Sequence, residues 1–177
     1  LYEGQLRVMI GRADSTDYFG STWMQSANNS FVNRMFAANP TIVAPGHGPT
    51  VGLSYKPKAI DFYVSGGAAN AYGDTTESSF DTLDEWTLFS WGEAGWTPTF
   101  ESLGKGRYTL SGWHIGERDD TGQDSDWGLS AVADQRINET IQVFARWGFA
   151  DGGVANIENY AQVGAGFRGL MGDPGDM

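Results

Sequence analysis

The sequence contains no cysteine, and this absence excludes several kinds of chemistry. Without a thiol there is no disulfide framework, no thiolate nucleophile and no cysteine-ligated zinc site. Basic residues are also few, since 11 Lys and Arg stand against 22 Asp and Glu and give a formal net charge of -11. Such a chain offers neither a basic face for nucleic acid nor a basic helix for an anionic membrane surface.

A long apolar segment is missing as well. No run of about 18 apolar residues is present, so the sequence predicts no transmembrane helix. A membrane protein is not thereby excluded, because barrel strands alternate apolar and polar residues and leave a weaker hydropathy signal. No signal peptide opens the chain, which starts at Leu1 and closes on a Gly/Asp/Pro turn at 172–177. We therefore expect a section of a longer protein, with residues 1–177 forming part of a single domain.

Glycine and aromatic residues are abundant, with 25 Gly, 7 Trp, 7 Tyr and 10 Phe. This composition is typical of proteins built from many short strands and turns. A period of two recurs in eight segments, and each is predicted to be a strand. The predicted strands lie near residues 6–11, 51–56, 60–65, 85–96, 107–113, 129–136, 141–149 and 160–168.

The predicted connections alternate in length along the chain. Long links at 14–48, 68–84 and 116–126 alternate with shorter connections, namely a tight turn at 56–58, an intermediate connection at 97–105 and a tight turn at 137–139. Up-and-down barrels of the outer membrane show this rhythm, because their outer loops are long and their periplasmic turns are short. The 14–48 link also contains one predicted short helix, which carries Phe31, Met35 and Phe36.

The strand near residues 141–149 shows the two faces that each strand presents. Its apolar side runs from Ile141 to Phe149, whereas Gln142 and Arg146 lie on the other side. Periodicity alone fits either a soluble sandwich with a dry core or a barrel whose apolar face meets lipid. Small residues in mid-strand and aromatic residues near strand ends favour the barrel. A soluble carbohydrate-binding β-sandwich stays open as the alternative, and it predicts strands divided between two sheets.

Several segments, in order along the chain, resemble the OprB-type carbohydrate-selective porin family of Gram-negative outer membranes. They are LRVMIGR at 6–12, DSTDYF at 14–19, FVNRMFAANPTI at 31–42, PGHG at 45–48, EAGWTP at 93–98, GRYTLSGW at 106–113, ADQ at 133–135, FARWGFA at 144–150 and GAGFRGL at 164–170. Each segment is weakly specific by itself, whereas their order is much more specific.

The resemblance implies an all-β, transmembrane, antiparallel up-and-down β-barrel. Full-length members have about 16 strands, of which this chain would supply about eight. It also implies a location in the bacterial outer membrane, with lipid and lipopolysaccharide outside and small sugars diffusing passively inside. The resemblance leaves open whether the protein forms a homo-oligomer. No cofactor, metal ion or enzymatic activity is expected, because passive diffusion needs no reacting group.

The side chains on the polar side of the strands are the candidates for lining the lumen and contacting sugar hydroxyls or ring faces. They are Glu93, Arg107, Trp113, Asp134, Gln142 and Arg146. We expect the 14–48 link to fold inward and narrow the pore, with Arg34 and His47 as candidates for touching substrate. The competing interpretation is that the charged residues pair with each other and only hold the wall open.

Two further interpretations have less support in the sequence. Glu93 and Asp134 would serve a glycosidase only if they faced each other across one cleft, and their spacing gives no sign of this. The acidic stretch 118–126 lacks the spacing of an EF-hand, so we expect a solvated loop there and no cation site.

Overall fold

The computed structural model describes residues 4–25, 34–76, 78–119 and 122–167, with the backbone alone described for Arg34 and Met35. The strands in these ranges are β1 (Leu6–Ala13), β2 (Gly48–Tyr55), β3 (Phe62–Asn70), β4 (Leu88–Trp96), β5 (Thr99–Phe100), β6 (Gly104–Ile115), β7 (Asp126–Arg136), β8 (Ile141–Ala150) and β9 (Asn159–Phe167). One short helix, α1 (Arg34–Ala37), lies between β1 and β2. Among the described residues, no helix is long and apolar enough to cross a membrane.

All the long strands belong to one antiparallel sheet, in the order β1-β2-β3-β4-β6-β7-β8-β9, and β5 pairs only with β6. The eight predicted strands are confirmed, and β5 is an addition. Five boundaries differ from the prediction by three residues or more. Strands β2, β6 and β7 begin earlier, at Gly48, Gly104 and Asp126, β4 begins later, at Leu88, and β3 continues to Asn70. Gly48 pairs with Ala13, and residues 66–70 pair with 88–92. Backbone pairing extends these strands through small residues that carry no alternating signal.

The connections lie at two opposite ends of the sheet and differ in length. The segments 14–47, 71–87, 116–125 and 151–158 form the long-connection end. The segments 56–61, 97–103 and 137–140 form the short-turn end, and β5 lies within the second of them. This confirms the predicted up-and-down wiring. The predicted helix is observed at Arg34–Ala37, whereas Phe31 lies outside the described residues.

The two faces of the sheet have different surroundings. On the bare face, apolar side chains point away from the rest of the chain, and Ile10, Leu110 and Val163 are 81%, 59% and 81% exposed. The covered face packs against the link, the name used below for residues 14–25 and 34–47. Phe19 of the link packs against the rings of Phe89 and Trp91, at centroid distances of 5.9 and 5.7 Å.

Aromatic side chains on the bare face gather near the two ends of the strands. At the short-turn end, the Trp96 ring lies 6.0 Å from Phe62 and 5.5 Å from Tyr108. At the long-connection end, the Trp127 and Phe149 rings are 5.5 Å apart. Small side chains lie between these groups on the bare face, among them Ala131, Ala133, Ala145 and Ala161. An apolar band between two aromatic belts is the pattern of a lipid-facing barrel wall.

Candidate functional site

Glu93 on β4 attaches the link to the covered face. Its Oε2 accepts hydrogen bonds from the backbone N–H of Gly20 and the hydroxyl of Ser111, each at 2.8 Å. Its Oε1 accepts a hydrogen bond of 2.6 Å from the Tyr63 hydroxyl. Because Glu93 is 8% exposed, these donors replace the water that a carboxylate needs. The carboxylate therefore fixes the start of the link against three strands.

Asp134 and Arg107 form a second attachment point. These residues lie opposite each other on β7 and β6, and a guanidinium N–H of Arg107 donates to Asp134 Oδ2 at 2.8 Å. Asp134 is fully buried and also accepts the backbone N–H of Trp23 at 3.1 Å. Arg107 donates in addition to the carbonyl of Ser21, and its guanidinium lies 5.7 Å from the centre of the Trp23 ring. Both members of the ion pair thus hold residues 21–23 of the link.

Arg146 on β8 provides the third attachment point, at the far part of the link. Its guanidinium donates to the carbonyl of Ala38 at 2.7 Å and to the carbonyl of Phe36 at 3.2 Å. It also donates to the side chain of Gln162, its neighbour on β9, at 2.6 Å. The carbonyls of Phe36 and Ala38 lie at and just beyond the end of α1, where carbonyl groups lack partners within the helix. A buried cation therefore holds the end of this short helix.

Next to Arg146, the link approaches the sheet backbone closely at Gly148. Asn39 donates to the hydroxyl of Ser130 at 3.1 Å, and Thr41 donates its own hydroxyl to Asn39 at 2.8 Å. A Cβ atom at position 148 would meet the Thr41 hydroxyl and would lie 2.6 Å from the Asn39 amide. Only glycine leaves room for this contact.

The other sequence-predicted residues lie apart from these attachment points. Trp113 packs on Phe89 at a centroid distance of 6.1 Å and is 4% exposed, so it belongs to the aromatic cluster beneath Phe19. Gln142 is buried near the short-turn end of β8, and its Nε2 finds no partner among the described residues. His47 lies at the end of the link, and the Arg34 side chain is outside the described residues. The structure therefore brings together Glu93, Arg107, Asp134 and Arg146.

A groove remains open beside the link, on the covered face of β1–β3. Two neighbouring cavities of about 490 and 420 Å³ form it. Both are lined by Arg7, Ser54, Tyr63 and Arg107, and we call this space the β1–β3 groove. The cavity toward the long-connection end is also lined by Asp17 and Tyr18 of the link. Hydroxyls, guanidinium groups and one exposed aromatic ring thus line the same space.

Asp17 contributes a carboxyl group to this groove, and its charge depends on pH. Partial burial raises the pKa of its carboxyl group above the ordinary range, and repulsion by Asp14 raises it further, whereas His47 lowers it. Its negative charge is therefore lost at a higher pH than that of an ordinary aspartate.

Arg7, Tyr63 and Gln162 were not among the residues predicted from the sequence, although a usable signal for them was present. Each of them lies on the polar side of its strand, which is the side that carries Glu93 and Arg146. The contacts of Ser111 and Ser130 had no local signal, because serine occurs equally on exposed strand faces.

The acidic stretch 118–126 contains one carboxylate with a defined structural task. Asp126 accepts hydrogen bonds from the backbone N–H groups of Trp127, Val154 and Ala155, each at 2.8 Å. It therefore joins this connection to the next one. No group of three or more metal-ligating side chains occurs among the described residues, and Asp120 lies outside them.

Taken together, an ordered antiparallel sheet, an apolar bare face with two aromatic belts and a link packed on the polar face define a section of a porin-type β-barrel. Among solved structures, the chain is similar to OprB of Pseudomonas putida, determined at high pH, with a TM-score of 0.68 and 20% sequence identity. The likeness covers 95% of this chain and 47% of that chain, so this chain spans about half the length of the OprB chain. The fold is therefore that of an OprB-type porin barrel.

Comparisons of sequence alone give no further assignment. No protein-family model matches the chain, and no curated protein sequence matches it either.

Proposed function

We propose that the chain forms part of an outer-membrane porin through which small sugars diffuse passively. The observation that carries this proposal is the link, held by buried charges on the polar face of a sheet whose opposite face is apolar. A barrel surrounded by lipid needs an apolar outer face and a polar inner face. A loop attached to its inner wall narrows the lumen without closing it.

In this proposal the sugar passes along the β1–β3 groove. The six predicted lumen residues then divide by what they contact. Glu93 and Arg107 both hold the link and line the groove, whereas Asp134 and Arg146 only hold the link. Trp113 belongs to the aromatic cluster beneath Phe19, and Gln142 is buried near the short-turn end of β8. Arg7 and Tyr18 supply a cationic donor and an aromatic face. Such groups match sugar hydroxyls and ring faces and bind weakly enough to release.

The two alternative functions have less support. A β-sandwich would divide its strands between two sheets, whereas the long strands here follow chain order within one sheet. A glycosidase would need Glu93 and Asp134 exposed to substrate. Both carboxylates are instead occupied by donors from the link and from neighbouring side chains. These contacts favour a passive channel over an enzyme.

The direct test is single-channel conductance of the intact protein in a planar bilayer, with and without glucose or maltose. Steady channels whose current falls as sugar is added support the proposal. Channels whose current does not change with sugar would support a pore but contradict a preference for sugar. Correctly folded protein that forms no channel would overturn the proposal.

A substitution tests whether the groove is the pathway. Arg7→Ala is expected to raise the sugar concentration that halves the current by several-fold, because a donor to sugar hydroxyls is lost. Arg12→Ala is the matched control on the same strand, since Arg12 lines neither cavity of the groove. Equal sugar responses in the two variants would show that the pathway lies elsewhere.

A further inference from the structure

The part of the β1–β3 groove nearest the short-turn end has a distinct charge. This short-turn cavity, of about 490 Å³, is lined by the turn after β2, by Thr97 and by the start of β1. Asp61 supplies the one carboxylate among the described residues that line it, whereas four of them are basic. Because the whole chain has a formal net charge of -11, this excess of positive charge is local. The basic residues are Arg7, Lys56, Lys58 and Arg107.

The other part of the groove has no such excess. The neighbouring cavity of about 420 Å³ is lined by the carboxylates of Asp17 and Glu93 as well as by the guanidinium groups of Arg7 and Arg107. Acidic and basic side chains therefore balance there, whereas basic ones predominate in the short-turn cavity. Fixed charges that line a cleft raise the local concentration of solutes of opposite sign. The short-turn end of the groove thus attracts anions.

The cations of the short-turn cavity differ in how far the protein itself neutralises them. Arg107 is paired with Asp134 at 2.8 Å, so its charge is largely offset. Arg7 makes no hydrogen bond or ion pair with any described residue. Lys56 Nζ donates to the Thr97 hydroxyl at 2.8 Å, and an ammonium group has three N–H donors. Arg7 and Lys56 therefore retain both charge and donors for a ligand.

The backbone around these cations is held in place by hydrogen bonds. The N–H of Lys56 donates to the carbonyl of Gln5 at 2.8 Å, and the N–H of Lys58 donates to the Gln5 side chain at 3.2 Å. The carbonyl of Asp61 accepts the N–H and the hydroxyl of Thr97, at 2.7 and 3.1 Å. These bonds join the turn after β2 to the residues that precede β1 and follow β4. A site with a fixed wall loses little entropy when it takes up a ligand.

The position of the two available cations suits a ligand with two negative charges on oxygen atoms. Arg7 and Lys56 lie on adjacent segments, since β1 and β2 pair with Leu6 opposite Tyr55. Guanidinium and ammonium groups form charge-assisted hydrogen bonds with carboxylate and phosphate oxygens, and these are stronger than bonds between neutral groups. Small-molecule pockets typically have volumes of about 300–1,000 Å³, so a cavity of about 490 Å³ admits an organic anion.

We propose that the short-turn cavity binds a small organic dianion, a dicarboxylate or a phosphate monoester, through Arg7 and Lys56. The proposal goes beyond the diffusion of neutral sugars, because the ligand is recognised by its charge and needs no sugar ring. Both side chains are exposed, so water and salt screen the interaction. We therefore expect binding at millimolar concentrations and weaker binding as the ionic strength rises.

Ligands of one shape and different charge provide the test. The intact protein is labelled with ¹⁵N-arginine in neutral detergent micelles at low ionic strength, and Arg7→Gln identifies the side-chain signal of Arg7. Succinate is expected to shift this signal with a millimolar midpoint. Succinamate, which has one charge fewer, is expected to need a severalfold higher concentration, and neutral succinamide is expected to leave the signal in place.

Inorganic phosphate, titrated at an alkaline pH at which it is a dianion, distinguishes the two kinds of oxygen group. A shift with either dianion supports the site, and the dianion with the lower midpoint identifies the group that the site prefers. An Arg7 signal that neither dianion moves would overturn the proposal. A shift with succinamide equal to that with succinate would overturn it as well, because recognition would then not depend on charge.

Lys56→Gln removes the second charge and keeps a polar side chain of similar length. It is expected to raise the midpoint for the preferred dianion about threefold, which is the size of effect of one exposed charged contact. Arg12→Gln is the matched control, since Arg12 lines neither cavity of the groove. Heat-modifiable migration checks that both variants have folded. Equal midpoints in the two variants would contradict the assigned role of Lys56.

The outcome for this site is separable from the outcome for the porin function. Glucose that still reduces the channel current, in a protein whose Arg7 signal ignores both dianions, would overturn the anion site alone. Dianion binding by folded protein that forms no channels would overturn the porin function alone.

Discussion

At the residue scale, the buried charged side chains of the covered face hold the link against the sheet. Glu93, Asp134 and Arg146 direct their hydrogen bonds to backbone groups of the link. Burial of a charge is costly unless every partner is present, so each contact makes the position of the link specific. The link is therefore attached by polar contacts, in addition to the apolar packing of Phe19 against Phe89 and Trp91.

Removal of the Glu93 carboxylate tests this attachment. Glu93→Ala leaves the donors of Gly20, Tyr63 and Ser111 without an acceptor, and a buried donor without a partner costs roughly 1–3 kcal/mol. We expect a loss of about 3 kcal/mol in the free energy of unfolding, measured by urea titration in micelles, together with noisier single-channel current. Glu101→Ala, at an exposed carboxylate in a short turn, is the control. Equal stability of the two variants would contradict the assigned role of Glu93.

The close approach at Gly148 gives a second prediction for a single residue. Gly148→Ala places a methyl group against Thr41 and Asn39, so this part of the link must move away from the wall. We expect faster proteolytic cleavage within residues 36–47 of the folded protein. Gly92→Ala is the matched control, because a Cβ atom there has no neighbour within 4 Å. Cleavage at the same rate in both variants would show that the contact does not hold the link.

At the scale of the strand, β6 shows how one segment serves two environments. Its covered side carries Arg107, which contacts the link, Ser111, which donates to Glu93, and Trp113, which belongs to the aromatic cluster. Its bare side carries Tyr108 near one end, Leu110 in the middle and His114 near the other end. The polar histidine lies near a strand end, where lipid headgroups and water are accessible.

This arrangement predicts a dependence on depth along the bare side of β6. Leu110→Arg places a charge in the middle of the apolar band, where it costs about 2–4 kcal/mol. His114→Arg places the same charge near the interface, where it costs at most about 1 kcal/mol. Reversible folding into lipid vesicles, followed by denaturant titration, measures both costs. Similar costs at the two positions would contradict a lipid-facing β6.

At the scale of the whole molecule, the sheet has two unlike ends and two unlike faces. The long connections, including the link, lie at one end, whereas the other end carries short turns. In an outer-membrane barrel the long connections face the cell exterior and the short turns face the periplasm.

The absence of cysteine from the chain permits a direct test of this orientation. Asp84→Cys places a thiol in the exposed 71–87 connection, and Glu139→Cys places one in an exposed short turn. A maleimide attached to a polymer too large for the pore is expected to label Asp84→Cys on intact cells. Glu139→Cys should react only after the outer membrane has been permeabilised. Labelling of Glu139→Cys on intact cells would reverse the proposed orientation.

The sequence by itself determined the strands, their faces and their wiring. A period of two is a local property, and Ile141–Phe149 shows it without reference to any other strand. Turn residues such as 137–139 are equally local, so the alternation of long and short connections could be read directly. The ends of β2 and β3 could not be read in this way, because pairing with Ala13 and with residues 88–92 extends them.

Only the tertiary structure decided what the polar face does. Glu93, Arg107, Asp134 and Arg146 were selected by their side of the strand, and all four lie on the covered face of the sheet. Whether they meet substrate or hold the link depends on Gly20, Trp23 and Ala38, which lie far from them in sequence. The β1–β3 groove likewise arises where distant segments meet. Contacts of this kind depend on how the chain returns to the sheet, and local periodicity carries no information about that return.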